Sequence, residues 1–153
     1  MTRLRVLGWR EHVALPQLAG ADIKAKIDTG ARTSSLQAFE LDAYEVDGMQ
    51  RIRFALRPSQ EDEGLVVRCD MPVVDWRWIK DSGGHATYRP IIRTLVSVGT
   101  IEFEAELSLA SRADMGFRML LGREALRGRF VVDPMRSYVA TAGVDVEAVV
   151  LSD

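Results

Sequence analysis

A chain of 153 residues, 47% hydrophobic and 27% charged, fits one globular domain and excludes collagen, a membrane span and long disorder; the single cysteine, Cys69, excludes a disulfide framework and points to a reducing compartment. The formal net charge of −2 argues against a protein held to nucleic acid by its phosphates. The first ten residues lack the apolar core of a signal peptide, and no run approaches the roughly 18 apolar residues of a spanning helix, so a cytoplasmic protein with no membrane partner is expected.

Strand patterns dominate. Ile23–Ile27 alternates apolar and polar residues, Asp47-Gly48 marks a turn, and Arg51–Arg57 alternates again with Arg51, Arg53 and Arg57 on the solvated face. Pro58 to Gly64 is polar and acidic and reads as a loop. Leu65–Cys69, Val73–Ile79 and Ile91–Val98 are β-rich, with turns at Gly83-Gly84 and Gly99-Thr100. Ile101–Leu109 alternates throughout. Arg123–Gly128 is the one helical segment, good helix formers closed by a glycine, and Phe130–Pro134 returns to strand. These elements predict an all-β domain over residues 1–140, a closed or nearly closed barrel with one short helix near its C-terminal end. Residues 141–153 form a tail of unknown role: a swapped strand, an edge strand or a disordered segment.

The chemistry-bearing run is Ile27-Asp28-Thr29-Gly30-Ala31-Arg32-Thr33-Ser34-Ser35-Leu36. An apolar strand delivers the Asp28 carboxylate onto a tight turn, Gly30 lets the backbone bend, and the Thr29 hydroxyl is free to brace a neighbouring chain. Asp-Thr-Gly is also ordinary turn chemistry. A second piece, Met119-Leu120-Leu121-Gly122-Arg123-Glu124-Ala125-Leu126, leads two apolar residues and a glycine into the helix.

Together the two pieces resemble the retropepsin family of aspartic proteases, in which an apolar-Asp-Thr-Gly-Ala turn is followed later by an apolar-apolar-Gly-Arg run. Trp76 to Arg89, turning at Ser82-Gly83-Gly84-His85, looks like the glycine-tipped flap of that family. The chain is most similar to the bacterial branch labelled "ATP-dependent zinc protease" and associated with RimK-type glutamate ligases, on Glu11–Ala31, Met115–Arg123 and Arg127–Pro134. The likeness covers about Leu7 to Tyr138. It implies the acid-protease barrel, a homodimer, and a catalytic turn of Asp28, Thr29 and Gly30, with the second carboxylate supplied by Asp28 of a twofold-related copy. Two carboxylates about 3 Å apart cannot both ionise, so they share a proton. The implied reaction is hydrolysis of a peptide or isopeptide bond, and the implied partners are a polyglutamate-modified protein as substrate and a RimK-type ATP-grasp ligase. No cofactor is expected.

This sequence departs from the retroviral pattern at Arg32, where an acid is usual. That leaves Arg123 to pair with Glu124 or Glu11, or to face the cleft, so Arg32 and Arg123 are candidate binders of substrate carboxylates, with Gly83, Gly84 and His85 as flap contacts. Asp81-Ser82-Gly83 is a rival second acidic turn, read here as hairpin-tip chemistry. Trp76 and Trp78, two apart, line either the cleft or a packing stripe. The family label invites a search for zinc and nucleotide sites: there is no His-Glu-x-x-His, no paired cysteines and no phosphate-binding P-loop, so no metal is expected and any ATP use belongs to a partner. A non-catalytic partner of a glutamate ligase is the alternative to a peptidase.

Overall fold

The computed structural model describes residues 2–81, 83–111, 116–143 and 146–151; Ser82, Met115 and parts of the tail, all invoked above, lie outside the described residues. In chain order the strands are β1 (Thr2–Gly8), β2 (Arg10–Leu15), β3 (Ala19–Ile27), β4 (Ser34–Gln37), β5 (Phe39–Val46), β6 (Met49–Leu56), β7 (Val67–Pro72), β8 (Asp75–Lys80), β9 (Ala86–Val98), β10 (Ile101–Ala110) and β11 (Met119–Leu121). The helix α1 (Arg123–Leu126), β12 (Phe130–Asp133) and β13 (Glu147–Val150) follow. The chain is all-β with one short helix, as the sequence predicts.

The largest sheet runs β10-β4-β11-β3-β2-β9-β8, and a further β10–β9 pairing joins its ends into a ring from which β8 projects. Alternation explains the closure. On β10, Phe103, Ala105 and Leu107 point into the core while Glu102 and Glu104 face out, and Leu7, Val13, Ile23, Leu36 and Ile92 meet them from other strands. Burying a side chain of this size contributes about 1.5–3 kcal/mol. A separate sheet, β5-β6-β7, starts at an Asp47-Gly48 turn in which both residues have positive φ (51° and 79°), the backbone a two-residue hairpin demands. Arg51 and Arg53 occupy its solvated face beside Asp70, and Arg57 lies over the Phe39 ring at 4.1 Å.

Several boundaries differ from the sequence reading. The expected strand Val73–Ile79 begins later, at Asp75, because Val73 and Val74 carry the chain from β7 of the small sheet to β8 of the barrel, and Leu65 and Val66 precede β7 rather than join it. The helix ends at Leu126, with Gly128 at φ 78° just beyond it. The described part of the tail is an edge strand: β13 runs antiparallel to β1, while β12 flanks β1 on the other side in parallel.

Glu11 fastens this C-terminal segment to the barrel. Its side chain is fully buried on β2. One carboxylate oxygen accepts the N–H groups of Gly8 (2.7 Å) and Val139 (2.9 Å); the other accepts the N–H (3.0 Å) and the hydroxyl (2.8 Å) of Thr141. Four donors satisfy a charge that burial alone would penalise heavily. Glu11→Gln keeps the size but turns an amide NH2 toward donors, so it is expected to destabilise the fold by about 1–3 kcal/mol. Urea unfolding checks this, and amide exchange at Val139 and Thr141 should rise first.

Candidate active site

The Asp-Thr-Gly turn lies where three strands meet. β11 inserts between β3, to which it is parallel, and β4, to which it is antiparallel. Leu121 lies opposite Ile27 in that register, and the Asp28 N–H donates to the Leu121 carbonyl at 2.8 Å. The Asp28 Oδ1 accepts the Gly30 N–H at 2.9 Å, and the Ala31 N–H donates to the Asp28 carbonyl at 3.3 Å. Gly30 leaves room rather than supplying an unusual φ: a Cβ there would stand 3.2 Å from Asp28 Oδ1, and the carboxylate would have to shift by a few tenths of an ångström. Thr29 is exposed, and its hydroxyl bonds no group among the described residues.

The chain after this turn is clamped to the start of α1. The N–H groups of Arg123 and Glu124 donate to the carbonyls of Ala31 (2.7 Å) and Arg32 (3.1 Å), and the Gly122 N–H donates to Ser34 Oγ (2.9 Å). Helix-start N–H groups have no partner within the helix, and here the active-site loop supplies them. Gly122 makes the approach possible, because a Cβ there would fall 2.8 Å from the Ala31 carbonyl oxygen and 2.9 Å from the Thr33 carbonyl carbon.

The arginines take places the sequence left open. Arg123 Nη1 donates to the Thr29 carbonyl at 3.1 Å, bracing the turn from outside, and Arg32 lies 3.6 Å from Glu124 with its side chain 78% exposed. Where the retroviral pattern pairs an acid at position 32 with the arginine at 123, Arg32 here pairs one position further on, with Glu124, and Arg123 turns to the Thr29 carbonyl. Glu11 is committed to the C-terminal segment and is not available to Arg123.

β8 and β9 form the flap hairpin, with Lys80 opposite Ala86. Asp81 organises its tip: Oδ1 accepts the N–H groups of Gly83 (2.9 Å) and His85 (3.0 Å), and the backbone closes through Asp81 N–H to the His85 carbonyl (2.9 Å). A carboxylate so engaged is hairpin-tip chemistry. Gly83, Gly84 and His85 are exposed at that tip. Behind it, residues 77–80 face residues 30–34 across a cleft of 680 Å³ floored by residues 104–106 of β10. Each acid on its wall is taken by an arginine: Glu104 by Arg93 (2.8 Å), Glu106 by Arg77 (3.0 Å) and Glu124 by Arg32. Lys80 and Arg129 add positive charge with no acid in ion-pair range among the described residues. Asp75 also holds Arg77 at 2.7 Å, and this bond, helped by the Trp76 N–H, keeps the Asp75 carboxyl below the usual carboxylate range. Trp76 and Trp78 both stack on Tyr88 (5.5 and 5.2 Å), which makes them a stripe along the hairpin, with Trp78 also bordering the cleft.

The candidate zinc ligands do not converge. His12 is on β2 stacked on Tyr138, Cys69 is on β7 in the small sheet with its thiol pKa raised by burial, and His85 is at the flap tip. Among the described residues no three His, Cys, Asp or Glu side chains group as a metal site requires.

A family model described as the retropepsin-like aspartic endopeptidase RimB matches residues 6–142. This chain belongs to the RimB-like family. Relatives of this RimB-like domain include proteins named "Probable alpha-L-glutamate ligase". The one from Desulfotalea psychrophila is 41% identical over 85% of this chain and 28% of its own length; the one from Shewanella pealeana is 39% identical over 93% and 31%. The chain thus spans under a third of the curated relatives it matches. A crystal structure of a Legionella pneumophila protein of unknown function shares the fold, with a TM-score of 0.74 at 24% identity over 88% of this chain and 97% of that one. No helix among the described residues is long and apolar enough to cross a membrane.

Two substitutions separate the buried clamp from the exposed pair. Gly122→Ala is expected to cost about 1–3 kcal/mol or more, since backbone atoms stand in its way. Glu124→Gln, which releases Arg32, is expected to cost under about 1 kcal/mol, as exposed pairs do. Thermal unfolding of both variants checks the contrast.

Proposed function

We propose that this RimB-like domain is an aspartic-type endopeptidase that works as a homodimer, with Asp28 of each copy meeting across a twofold axis. The observation that carries the reading is the way Asp28 is held. Its backbone is tied to β11, its carboxylate is aimed by the Gly30 N–H, and the sequence has one Asp-Thr-Gly. The open Thr29 hydroxyl and the half-buried Asp28 suit a surface that a second copy covers.

In this reading the two carboxylates share one proton and titrate as a pair. The charged one takes a proton from water as the oxygen adds to the scissile carbonyl carbon. The neutral one donates to the carbonyl oxygen, and the departing nitrogen then takes a proton as the C–N bond breaks. Thr29 and Gly30 support the turn. The positive balance of the cleft, with Arg32 on its wall, favours an acidic substrate: a peptide or isopeptide bond in a glutamate-rich or polyglutamate-modified protein. Gly83, Gly84 and His85 at the flap tip, and Arg123 behind the turn, complete the proposed substrate surface.

A second reading rests on the relatives. Domains like this one occupy under a third of proteins named as glutamate ligases, which favours a module that binds a RimK-type ATP-grasp ligase and modulates it without cleaving. Cleavage by the purified chain separates the two.

Asp28→Asn preserves shape and removes the shared proton, so it is expected to abolish cleavage of a glutamate-rich peptide while leaving the fold intact. EDTA should have no effect. Sedimentation at micromolar concentration should give double the 17.1 kDa chain mass. Full activity in a strictly monomeric form, or retained activity in Asp28→Asn, would sink the shared-dyad mechanism.

A further inference from the structure

Arg89 is a buried cation that the folded chain leaves without an acid. Its residue is only 7% exposed, yet no carboxylate among the described residues lies in ion-pair range. Nε donates to Thr87 Oγ1 at 2.7 Å, and Nη1 reaches Ser35 Oγ at 3.5 Å, itself bonded to Ser108 Oγ at 2.7 Å. Nη2 bonds no described group. Desolvation lowers its pKa, with no opposing charge to restore it. Buried charges are ordinarily paired, yet it is the more exposed neighbours Arg77 and Arg93 that hold acids.

Register shows which way it faces. Arg89 stands directly opposite Arg77, and residues directly opposite in an antiparallel pair project to the same face. Arg77 borders the cleft. Arg93, two pairs of alternation further along β9, also borders the cleft, and its register partner on β10 is Glu106. On this face Arg77 has two acids, Asp75 and Glu106, and Arg93 has Glu104; Arg89, nearly buried beside these cleft-lining residues, has none. Its contact with Ser35 places it directly behind the cleft wall, one residue beyond Ser34, where the lining on that side ends.

We propose that Arg89 is the specificity-determining residue of the cleft, its planar guanidinium receiving a carboxylate of a bound acidic peptide. The proposal rests on the reading of the cleft as a peptide site. A forked donor with a free edge, held by hydroxyls that cannot neutralise it, is set up for a bidentate carboxylate and is left with an unmet charge by a neutral side chain. It selects by that difference. The exposed Arg32 supplies general attraction, whereas Arg89 reads one group at a fixed place.

The test measures binding by calorimetry in the full-length Asp28→Asn chain, where no turnover interferes. The probes are a glutamate-rich peptide amidated at its C-terminus and a matched glutamine-rich peptide with a free C-terminus, so that a side-chain carboxylate is told from a terminal one. Arg89→Met should weaken the glutamate-rich peptide about ten- to hundredfold and leave the glutamine-rich one within about twofold, if side chains are the source. The reverse pattern would assign the terminal carboxylate to Arg89. Tm should hold or rise, because an uncompensated buried charge is gone. Equal weakening of both peptides with a fall in Tm, or no change in either, overturns the proposal, as does a parent chain that binds neither. Should Arg89→Met fail to fold, Arg89→Lys keeps the charge and loses the fork; it must weaken one of the two peptides selectively, the glutamate-rich one if side chains are the source, or the proposal fails. Selective binding by a protein that cleaves nothing would leave Arg89 standing and reject the peptidase.

Discussion

Everything at the candidate site depends on the close approach of the loop after Asp28 to the first turn of α1. Three N–H donors from residues 122–124 find acceptors on residues 31, 32 and 34, across a gap that admits no side chain at Gly122. The contact fixes two things at once. It ends β11 where its last carbonyl can hold the Asp28 N–H, and it orients Arg32 and Glu124 side by side at the rim of the cleft. A four-residue helix has little stability of its own. It exists here because a loop completes it, and the loop keeps its shape because the helix start accepts no alternative partner so near.

The distribution of charge along the cleft follows a related logic. Pairing consumes the acids of the wall, each held by an arginine from another element, so the wall is made of neutralised pairs with a few cations left over. Surface pairs of this kind contribute little to stability. Their effect is on what the cleft attracts and on how the flap strand β8 is anchored, since Arg77 ties it to Glu106 on β10 and to Asp75 on its own strand.

The elements legible in the sequence were those whose signal is local. Alternation over Ile101–Leu109 revealed β10, and the Asp-Thr-Gly and Leu-Leu-Gly-Arg runs, each contiguous, located the turn and the helix that braces it. β4 and β11 were invisible because four and three residues hold no period, and β4 is buried on both faces at Ser34, Ser35 and Leu36. Glu11 stood only as a candidate partner of Arg123, since its actual partners Val139 and Thr141 lie 128 and 130 positions away. Arg89 stood only as the end of the flap-like segment. Only the register with Arg77 and the hydroxyls of Ser35 and Thr87 distinguish it. The pairing of Arg32 with Glu124 was half visible: the odd residue at 32 stood out, its partner did not.

The strand β1 carries both extremities of the chain on one ribbon, with Thr2 opposite Val150 in antiparallel register. Neighbouring strands lie about 5 Å apart. The domain is therefore a closed circuit with its two leads emerging side by side. A covalent neighbour attached to either lead departs from the same corner, and a short bridge between them would permit new ends to be opened in an exposed loop such as 59–64 without unpairing the ring. Such a module is equally suited to a free-standing life and to being spliced into a chain three times its length.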